Sequence, residues 1–341
     1  MGLPIVSIVG DAFQINGQPT YAGRYWEGNK IEGLLLNSRM VQGVFDDENP
    51  DTRDLFKYSD TRTWDPNRNT DEFVAAMDSW VSYGLNCFTL NLQGGSPTGY
   101  GNAEWLNSAF TSDGSLKPAY VERLNRILAK AEELDMVVIL GLYYFGQDQH
   151  LEDEAAVVRG VDEVVNWVLV EGYRNVMIEI CNECDIPEYT HEVLRPSRVH
   201  ELIERVKCYE VDGQRLLASV SFRGGAIPTA KVVASADFIL LHGNDVEDTE
   251  FIKEMVVQTK AISGYRGQPI VFNEDDHYDY DKPESNFRSA IESYASWGYF
   301  DYRRSNEKDI SIGYQSVPVD WGVNDSRKRA FFEYVKVIAG L

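Results

Sequence analysis

Two apolar runs in this chain each end on a glutamate. The run at residues 176–183, VMIEICNE, ends on Asn182-Glu183, and the run at 269–274, PIVFNE, ends on Glu274. A buried carboxylate is costly unless it is paired, so chance placement at the end of an apolar strand is uncommon. Two acids carried to the same mouth of a parallel barrel would form the carboxylate pair that cleaves glycosidic bonds. Glu183 and Glu274 are therefore the candidate catalytic residues.

The two acids need different protonation states for that chemistry. Glu183 would give a proton to the leaving oxygen, so it has to be protonated near neutral pH. Glu274 would attack the anomeric carbon, so it has to be ionised and surrounded by hydrogen-bond donors. The amide of Asn182 would donate to a sugar hydroxyl next to the reacting carbon.

The elements that carry these residues alternate between two types along the chain. Apolar runs predict eight strands, at residues 34–41, 86–92, 137–145, 176–183, 216–222, 238–242, 269–274 and 298–303. The helical period predicts helices at 70–83, 118–134, 153–171, 196–209, 229–234, 249–262, 284–297 and 326–338. Strands that are apolar throughout indicate a parallel sheet covered on both faces, and eight units favour an α/β fold of the (β/α)₈ TIM barrel type.

The N-terminal segment precedes this alternation. Residues 5–21 predict a β-hairpin with Asn16-Gly17 as its turn. We expect residues 1–341 to form one catalytic domain, in which the hairpin within residues 1–25 caps the barrel.

The composition restricts the partners. The chain has 341 residues, 43% of them hydrophobic, and a formal net charge of −22. This charge argues against nucleic acid or an anionic membrane as partner, because the long-range field repels both. No run approaches the roughly 20 apolar residues that span a bilayer. No signal peptide is visible, so we expect a protein that is either cytoplasmic or secreted with its signal removed. The oligomeric state stays open.

The position of the two glutamates resembles that of a large clan of enzymes. Asn182-Glu183 at the end of the fourth strand and Glu274 at the end of the seventh resemble the retaining (β/α)₈ glycoside hydrolases, which include cellulase-like, mannanase-like and β-galactosidase families. The resemblance implies that Glu183 is the acid/base, that Glu274 is the nucleophile, and that no cofactor is needed. It also implies an oligo- or polysaccharide substrate.

The chain departs from the cellulase-like members at two strands. Their sixth-strand His-x-Tyr reads His242-Gly243-Asn244 here, so the tyrosine that would contact the nucleophile is absent. Tyr144 lies in the segment that replaces their third-strand histidine. The particular family and its substrate therefore stay open within the clan.

Further polar and aromatic residues near the predicted strand ends are candidates for substrate binding. Arg39 is a plausible donor to the nucleophile, with a structural ion pair as the alternative, and the amides of Asn91, Gln93 and Gln147 are suited to sugar hydroxyls. The full candidate set is Asn182, Arg39, His242, Asn244, Asn91, Gln93, Tyr144, Gln147 and Trp321. Two or three of the loop aromatics are expected to stack on sugar rings. These aromatics are Trp64, Tyr100, Trp105, Tyr278, Tyr280, Tyr314 and Trp321.

Three further features of the sequence bear on other functions. Cys181 and Cys184 form a Cys-x-x-Cys, but no second pair with zinc spacing accompanies it. A metal-dependent barrel hydrolase or lyase would use Glu183, Glu274, Asp275 and His277 as ligands for a hard cation. A barrel that only binds carbohydrate is the third possibility. The favoured prediction is a retaining glycoside hydrolase that acts on β-linked saccharides without a metal or cofactor.

Overall fold

Eight strands alternate with eight α-helices in the computed structural model, which describes residues 4–95, 97–98, 104–280, 282–303, 307 and 310–341. The strands, labelled β1 to β8, are Leu36–Arg39, Cys87–Asn91, Val137–Tyr143, Val176–Cys181, Leu217–Ser219, Ile239–His242, Ile270–Glu274 and Ser296–Tyr299. The helices, labelled α1 to α8, are Pro66–Ser82, Pro118–Glu133, Glu154–Val170, His200–Lys207, Ala230–Ser235, Thr249–Ala261, Asn286–Glu292 and Ser326–Ala339. Within the described ranges, no helix is long and apolar enough to span a membrane.

The eight strands form one parallel sheet that curls into a nearly closed barrel. Their order is β5-β4-β3-β2-β1-β8-β7-β6, and β8 pairs with β1 with Trp297 opposite Leu36. The seam between β5 and β6 is bridged by Asp237. Its backbone nitrogen donates to the carbonyl of Ala218 at 3.0 Å, and its carboxylate accepts from the nitrogen of Ala218 at 3.0 Å. The predicted (β/α)₈ TIM barrel is confirmed.

The N-terminal segment contains three short antiparallel strands, Val6–Val9, Ala12–Ile15 and Gln18–Pro19. A hairpin is present, but Asn16-Gly17 turns between its second and third strands, and the first turn is at Gly10-Asp11. Gly10, Asn16 and Gly17 all have positive φ, which tight turns of this kind require. Val6 and Phe13 pack into the apolar lower interior of the barrel against Leu35 and Val137.

Several element boundaries differ from the sequence prediction, among them those of α1, α7 and β8. Helix α1 begins at Pro66 and not at residue 70, because the carboxylate of Asp65 caps it by accepting from two backbone nitrogens. Helix α7 ends at Glu292, and the strand after it begins at Ser296 and not at 298. The sequence pattern places Trp297 in the helix, but it lies in β8, where its indole nitrogen donates to Asp275 at 3.0 Å. This long-range contact leaves no local sequence signal.

Candidate active site

Glu183 lies just after β4 in an unusual backbone conformation. Its φ is +50°, a left-handed conformation that L-residues other than glycine rarely adopt. Hydrogen bonds from the neighbouring strands hold this turn. The backbone nitrogen of Glu183 donates to the hydroxyl of Ser221 at 2.9 Å, and that of Asn182 donates to the carbonyl of Tyr143 at 3.0 Å. The turn therefore places the Glu183 side chain over the barrel mouth.

Glu274 ends β7 and is almost fully buried between two donors. Its Oε2 atom lies 2.5 Å from Nε of Arg39, and its Oε1 atom accepts from the amide of Asn244 at 2.6 Å. Burial raises the pKa of Glu274 above its ordinary value, while Arg39, His242 and Asn244 oppose the rise. The donors that a buried, ionised carboxylate requires are therefore present.

His242, at the end of β6, joins the two glutamates. Its Nδ1 atom lies 3.0 Å from Oε1 of Glu183 and 3.6 Å from Oε2 of Glu274. Carboxylate oxygens of the two glutamates lie within 4.8 Å of each other. Burial alone would lower the pKa of His242, but Glu274 and Glu183 raise it above the usual value. The imidazole is thus placed to carry a positive charge between two acids.

Arg39, at the end of β1, contacts three groups through its guanidinium. Besides Glu274, it donates through Nη2 to the side-chain oxygen of Asn182, and its Nη1 atom lies 3.5 Å from Oε2 of Glu179. Burial alone would lower the pKa of Arg39, but the carboxylates of Glu274 and Glu179 raise it. Arg39 is therefore a permanent positive charge at the centre of the site.

Six of the predicted site residues are brought into one constellation. They are Glu183, Glu274, Asn182, Arg39, His242 and Asn244. Asn244 occupies the sequence position where the cellulase-like pattern has a tyrosine, and it makes a direct contact with Glu274. The change of residue type therefore preserves a donor to that carboxylate.

Asn91 and Tyr144 lie on neighbouring strand ends. Asn91 is buried at the end of β2, and neither its amide oxygen nor its amide nitrogen has a hydrogen-bond partner among the described residues. A side chain at Gly141 would meet the Asn91 oxygen at 2.3 Å, so the glycine makes room for this amide. The ring of Tyr144 lies against Gly94 and stacks on Phe145.

Gln93 and Gln147 differ from Asn91, because their amides bind the protein itself. Gln93 donates to the hydroxyl of Ser108 at 2.9 Å and accepts from the backbone nitrogen of Tyr144 at 3.3 Å. Gln147 accepts from the nitrogen of Asn107 and donates to the carbonyl of Trp105, each at 2.9 Å. These two side chains hold loops together, and their amides are engaged within the protein.

Most of the loop aromatics proposed for stacking are core residues. Trp105, Tyr280, Tyr314 and Trp321 are buried. The Trp321 ring stacks on Tyr314 and meets the edge of Phe73, so it presents no open face to a sugar.

The other three aromatics are placed differently. Trp64 stacks on Tyr58 in the loop after β1, with ring centroids 5.7 Å apart. Tyr278 is exposed, with the guanidinium of Arg327 over its ring. Tyr100 lies outside the described residues.

The four ligands of the metal-dependent alternative do not form one cluster. Within the described residues, Glu183, His242 and Glu274 form one group of potential ligands, and Asp275 and His277 belong to a second group with Asp276. The Asp275 carboxylate contacts Nδ1 of His277 at 2.6 Å on one oxygen and accepts from Trp297 on the other.

Cys181 and Cys184 are also unsuited to binding a cation. Both are buried, and burial raises the pKa of both thiols well above the usual value. Because the thiolate is the metal ligand, this environment disfavours a zinc site.

The sequence prediction did not assign Glu179, Asn273 and Ser221 to the site. Glu179 and Asn273 lie inside the barrel beneath Arg39, and Ser221 holds the turn at Glu183. A signal for Glu179 was present, because it is a charged residue within the apolar run of β4. Ser221 and Asn273 leave no comparable signal in the sequence.

Comparison with known proteins supports the barrel fold. No family model and no curated protein matches the chain. Solved structures do match, among them a glycoside hydrolase family 5 mannosidase from Rhizomucor miehei, with a TM-score of 0.58 and 12% identity over 99% of both chains. An endo-1,4-beta-mannanase from the same organism has a TM-score of 0.55 and 13% identity over 90% of this chain and 96% of that one.

A bacterial structure is similar to the same extent. The GH5-4 broad specificity endoglucanase from Bacteroides salanitronis has a TM-score of 0.57 and 11% identity over 90% of this chain and 93% of that one. At this identity the likeness shows the barrel fold, which these glycoside hydrolases share with the chain. The activity has to be argued from the site itself.

Proposed function

We propose that this protein is a retaining glycoside hydrolase that cleaves β-linked saccharides, with Glu274 as nucleophile and Glu183 as acid/base. The observation that carries the proposal is the spacing of the two acids, whose oxygens lie within 4.8 Å and contact the same imidazole. Retaining pairs lie about 5–5.5 Å apart, whereas inverting pairs lie roughly 6.5–9.5 Å apart to admit a water. The short separation favours the retaining mechanism.

In the first step, an oxygen of Glu274 forms a bond to the anomeric carbon as the bond to the leaving oxygen breaks. Glu183 transfers its proton to that leaving oxygen. Arg39 and Asn244 hold the attacking carboxylate in position, since each contacts one of its oxygens. This positioning lowers the activation barrier of the first step, because the reacting atoms are already aligned.

In the second step, Glu183 takes a proton from water, and the water oxygen attacks the anomeric carbon and releases Glu274. His242 contacts Glu183 in both steps and offers a positive charge when that carboxyl is ionised. Two inversions at one carbon give net retention of configuration. No cofactor takes part in either step.

The substrate class follows from the polar groups around the two acids. Because the oxygen of Asn182 accepts from Arg39, its amide nitrogen is the group that can donate to a sugar hydroxyl. The Rhizomucor miehei mannosidase, in a variant form, is known in complex with mannosyl-fructose, a saccharide ligand on the same fold. We therefore assign an oligo- or polysaccharide substrate to this chain.

The test is an activity screen over aryl β-glycosides and β-linked polysaccharides, followed by Glu274→Ala. The variant should lose turnover of every active substrate, and azide should restore part of it by forming the α-glycosyl azide. Glu284→Ala is a matched control, since it removes an exposed carboxylate from the same loop region. Wild-type rates in folded Glu274→Ala would remove Glu274 from the mechanism. Loss of wild-type activity with EDTA would favour the metal-dependent alternative.

A further inference from the structure

The barrel interior changes from apolar to polar directly beneath the candidate active site. Below this level the interior is filled by residues such as Val137, Leu240 and Val271. Above it, Glu179 on β4 and Asn273 on β7 are both fully buried in the barrel. A carboxylate in such a place is costly unless a cation and hydrogen bonds compensate for its lost hydration.

Within the part of the chain that the structure describes, Glu179 has one cationic partner, which is Arg39. Its Oε2 atom lies 3.5 Å from Nη1 of Arg39 and accepts from the amide of Asn273 at 3.3 Å. The same guanidinium contacts Glu274 through Nε at 2.5 Å. Arg39 is therefore held between a carboxylate below the site and a carboxylate within it.

We propose that Glu179 is a positioning residue that anchors Arg39 and shares its charge, so that Glu274 remains a reactive nucleophile. The inference rests on the proposed function, in which Glu274 attacks the anomeric carbon. A guanidinium paired with Glu274 alone would stabilise the carboxylate ion more strongly and make it a weaker nucleophile. Without the contact to Glu179, the guanidinium could also take other positions, because the arginine side chain is long and flexible.

The charged groups around these two carboxylates are few. Glu274 faces Arg39, His242 and Glu183. Glu179 faces Arg39 on one side, and on the other side its charge contributes to the raised pKa of the thiols of Cys181 and Cys184. Tyr144 is a further titratable group close to Arg39. A change at Glu179 should therefore be transmitted to Glu274 mainly through Arg39.

The first test is Glu179→Gln, which keeps the shape of the side chain and removes its charge. The acidic limb of the pH profile of kcat/KM, which reports ionisation of Glu274, should move down by about 1 pH unit, because Arg39 then no longer shares its charge with Glu179. We expect kcat to fall about tenfold or more with KM nearly unchanged, because the lost effect acts on the attacking carboxylate. An unmoved acidic limb overturns the inference.

Ser219→Ala is the matched control. Ser219 lies opposite Glu179 on β5, is fully buried, and its hydroxyl has no hydrogen-bond partner among the described residues. The control removes a polar atom from the same level of the barrel without changing its charge. Its pH profile should overlay that of the wild type, and a shift equal to that of Glu179→Gln would show that packing alone is responsible.

A second readout does not depend on activity. The titration of His242 can be followed by NMR, with its signal assigned from His242→Gln, because the chain has only 5 histidines. Removing the Glu179 charge should lower the pKa of His242 by a measurable fraction of a unit. If the wild type cleaves no glycoside but this titration shifts, the proposed function fails and the charge coupling stands.

Glu179→Asp covers the case in which Glu179→Gln does not fold. It keeps the charge but withdraws it from Arg39 by one methylene, so both titrations should move in the same direction by a smaller amount. If the acidic limb and the His242 titration match the wild type in every folded Glu179 variant, Glu179 has no positioning role.

Discussion

Replacing Arg39 with methionine should move the acidic limb of the pH–rate profile to higher pH. Arg39 is the cation in direct contact with Glu274, at 2.5 Å between Nε and Oε2. Two unit charges about 4 Å apart interact by about 4 kcal/mol at an effective dielectric constant of about 20. For charge centres about 4 Å apart in a site that does not relax, this loss sets a bound of about 3 pH units, since one unit corresponds to about 1.36 kcal/mol.

Relaxation of the site and entry of water reduce that bound, so we expect an upward shift of about 1–3 units. Arg39→Lys keeps the positive charge but loses the three-way contact of the guanidinium. The acidic limb of its pH profile should therefore move less than that of Arg39→Met. The assay is kcat/KM against pH on an activated aryl β-glycoside.

The stability of Arg39→Met has to be measured alongside its activity. The variant leaves Glu179 and Glu274 buried without their cation, which costs about 3–5 kcal/mol when one partner of a buried pair is removed. The loss should be largest at neutral and higher pH and smaller at low pH, where Glu274, whose pKa burial raises, becomes protonated. A folded Arg39→Met whose acidic limb overlays the wild type, or moves to lower pH, would refute the assigned role of Arg39.

The remaining predictions concern the acid/base, the stereochemistry and the group formed by Asp275, Asp276 and His277. Glu183→Gln should abolish the basic limb and slow substrates with poor leaving groups most, whereas equal slowing of all substrates would assign the acid elsewhere. Proton NMR of the first-formed product from a β-substrate should show the β-anomer, and an α-product would exclude the retaining mechanism. Burial alone would lower the pKa of His277, but Asp275 raises it to about 9. The imidazolium should therefore stabilise the fold fully below about pH 6.5, and this stabilisation should be lost as the pH rises through about 9. His277→Gln should therefore lower the free energy of unfolding by about 1–3 kcal/mol at pH 6 and by little at pH 9.5; a loss of equal size at both values in urea unfolding would contradict this.

Local patterns in the sequence were enough to predict the barrel and its two acids. Apolar runs that are hydrophobic on both faces are typical of a parallel sheet covered on both sides, and the helical period marks the covering helices. A carboxylate at the end of such a run is conspicuous because burial of charge is costly. Glu183 and Glu274 could therefore be proposed from their own segments, and Arg39 and His242 from the same kind of position at other strand ends.

The contacts between strands could not be read from those patterns. Trp321 and Gln147 carry the chemical groups that bind sugars, but the fold buries the first in the core and uses the second to hold a loop. Asn244 follows β6 and its partner Glu274 ends β7, so their hydrogen bond depends on the register between two strands. Sequence spacing does not specify that register.

Glu179 shows most clearly what the sequence determines and what the tertiary structure decides. Its presence in β4 is visible in the sequence as one charge in an apolar run. Its partner Arg39 lies on β1, and the two meet only because the sheet closes so that both side chains enter the same interior. The amino-acid order thus determined which elements form and which acids they carry, since these depend on periodicity and burial. Tertiary structure decided which charges share a cation, because that depends on distances across the barrel.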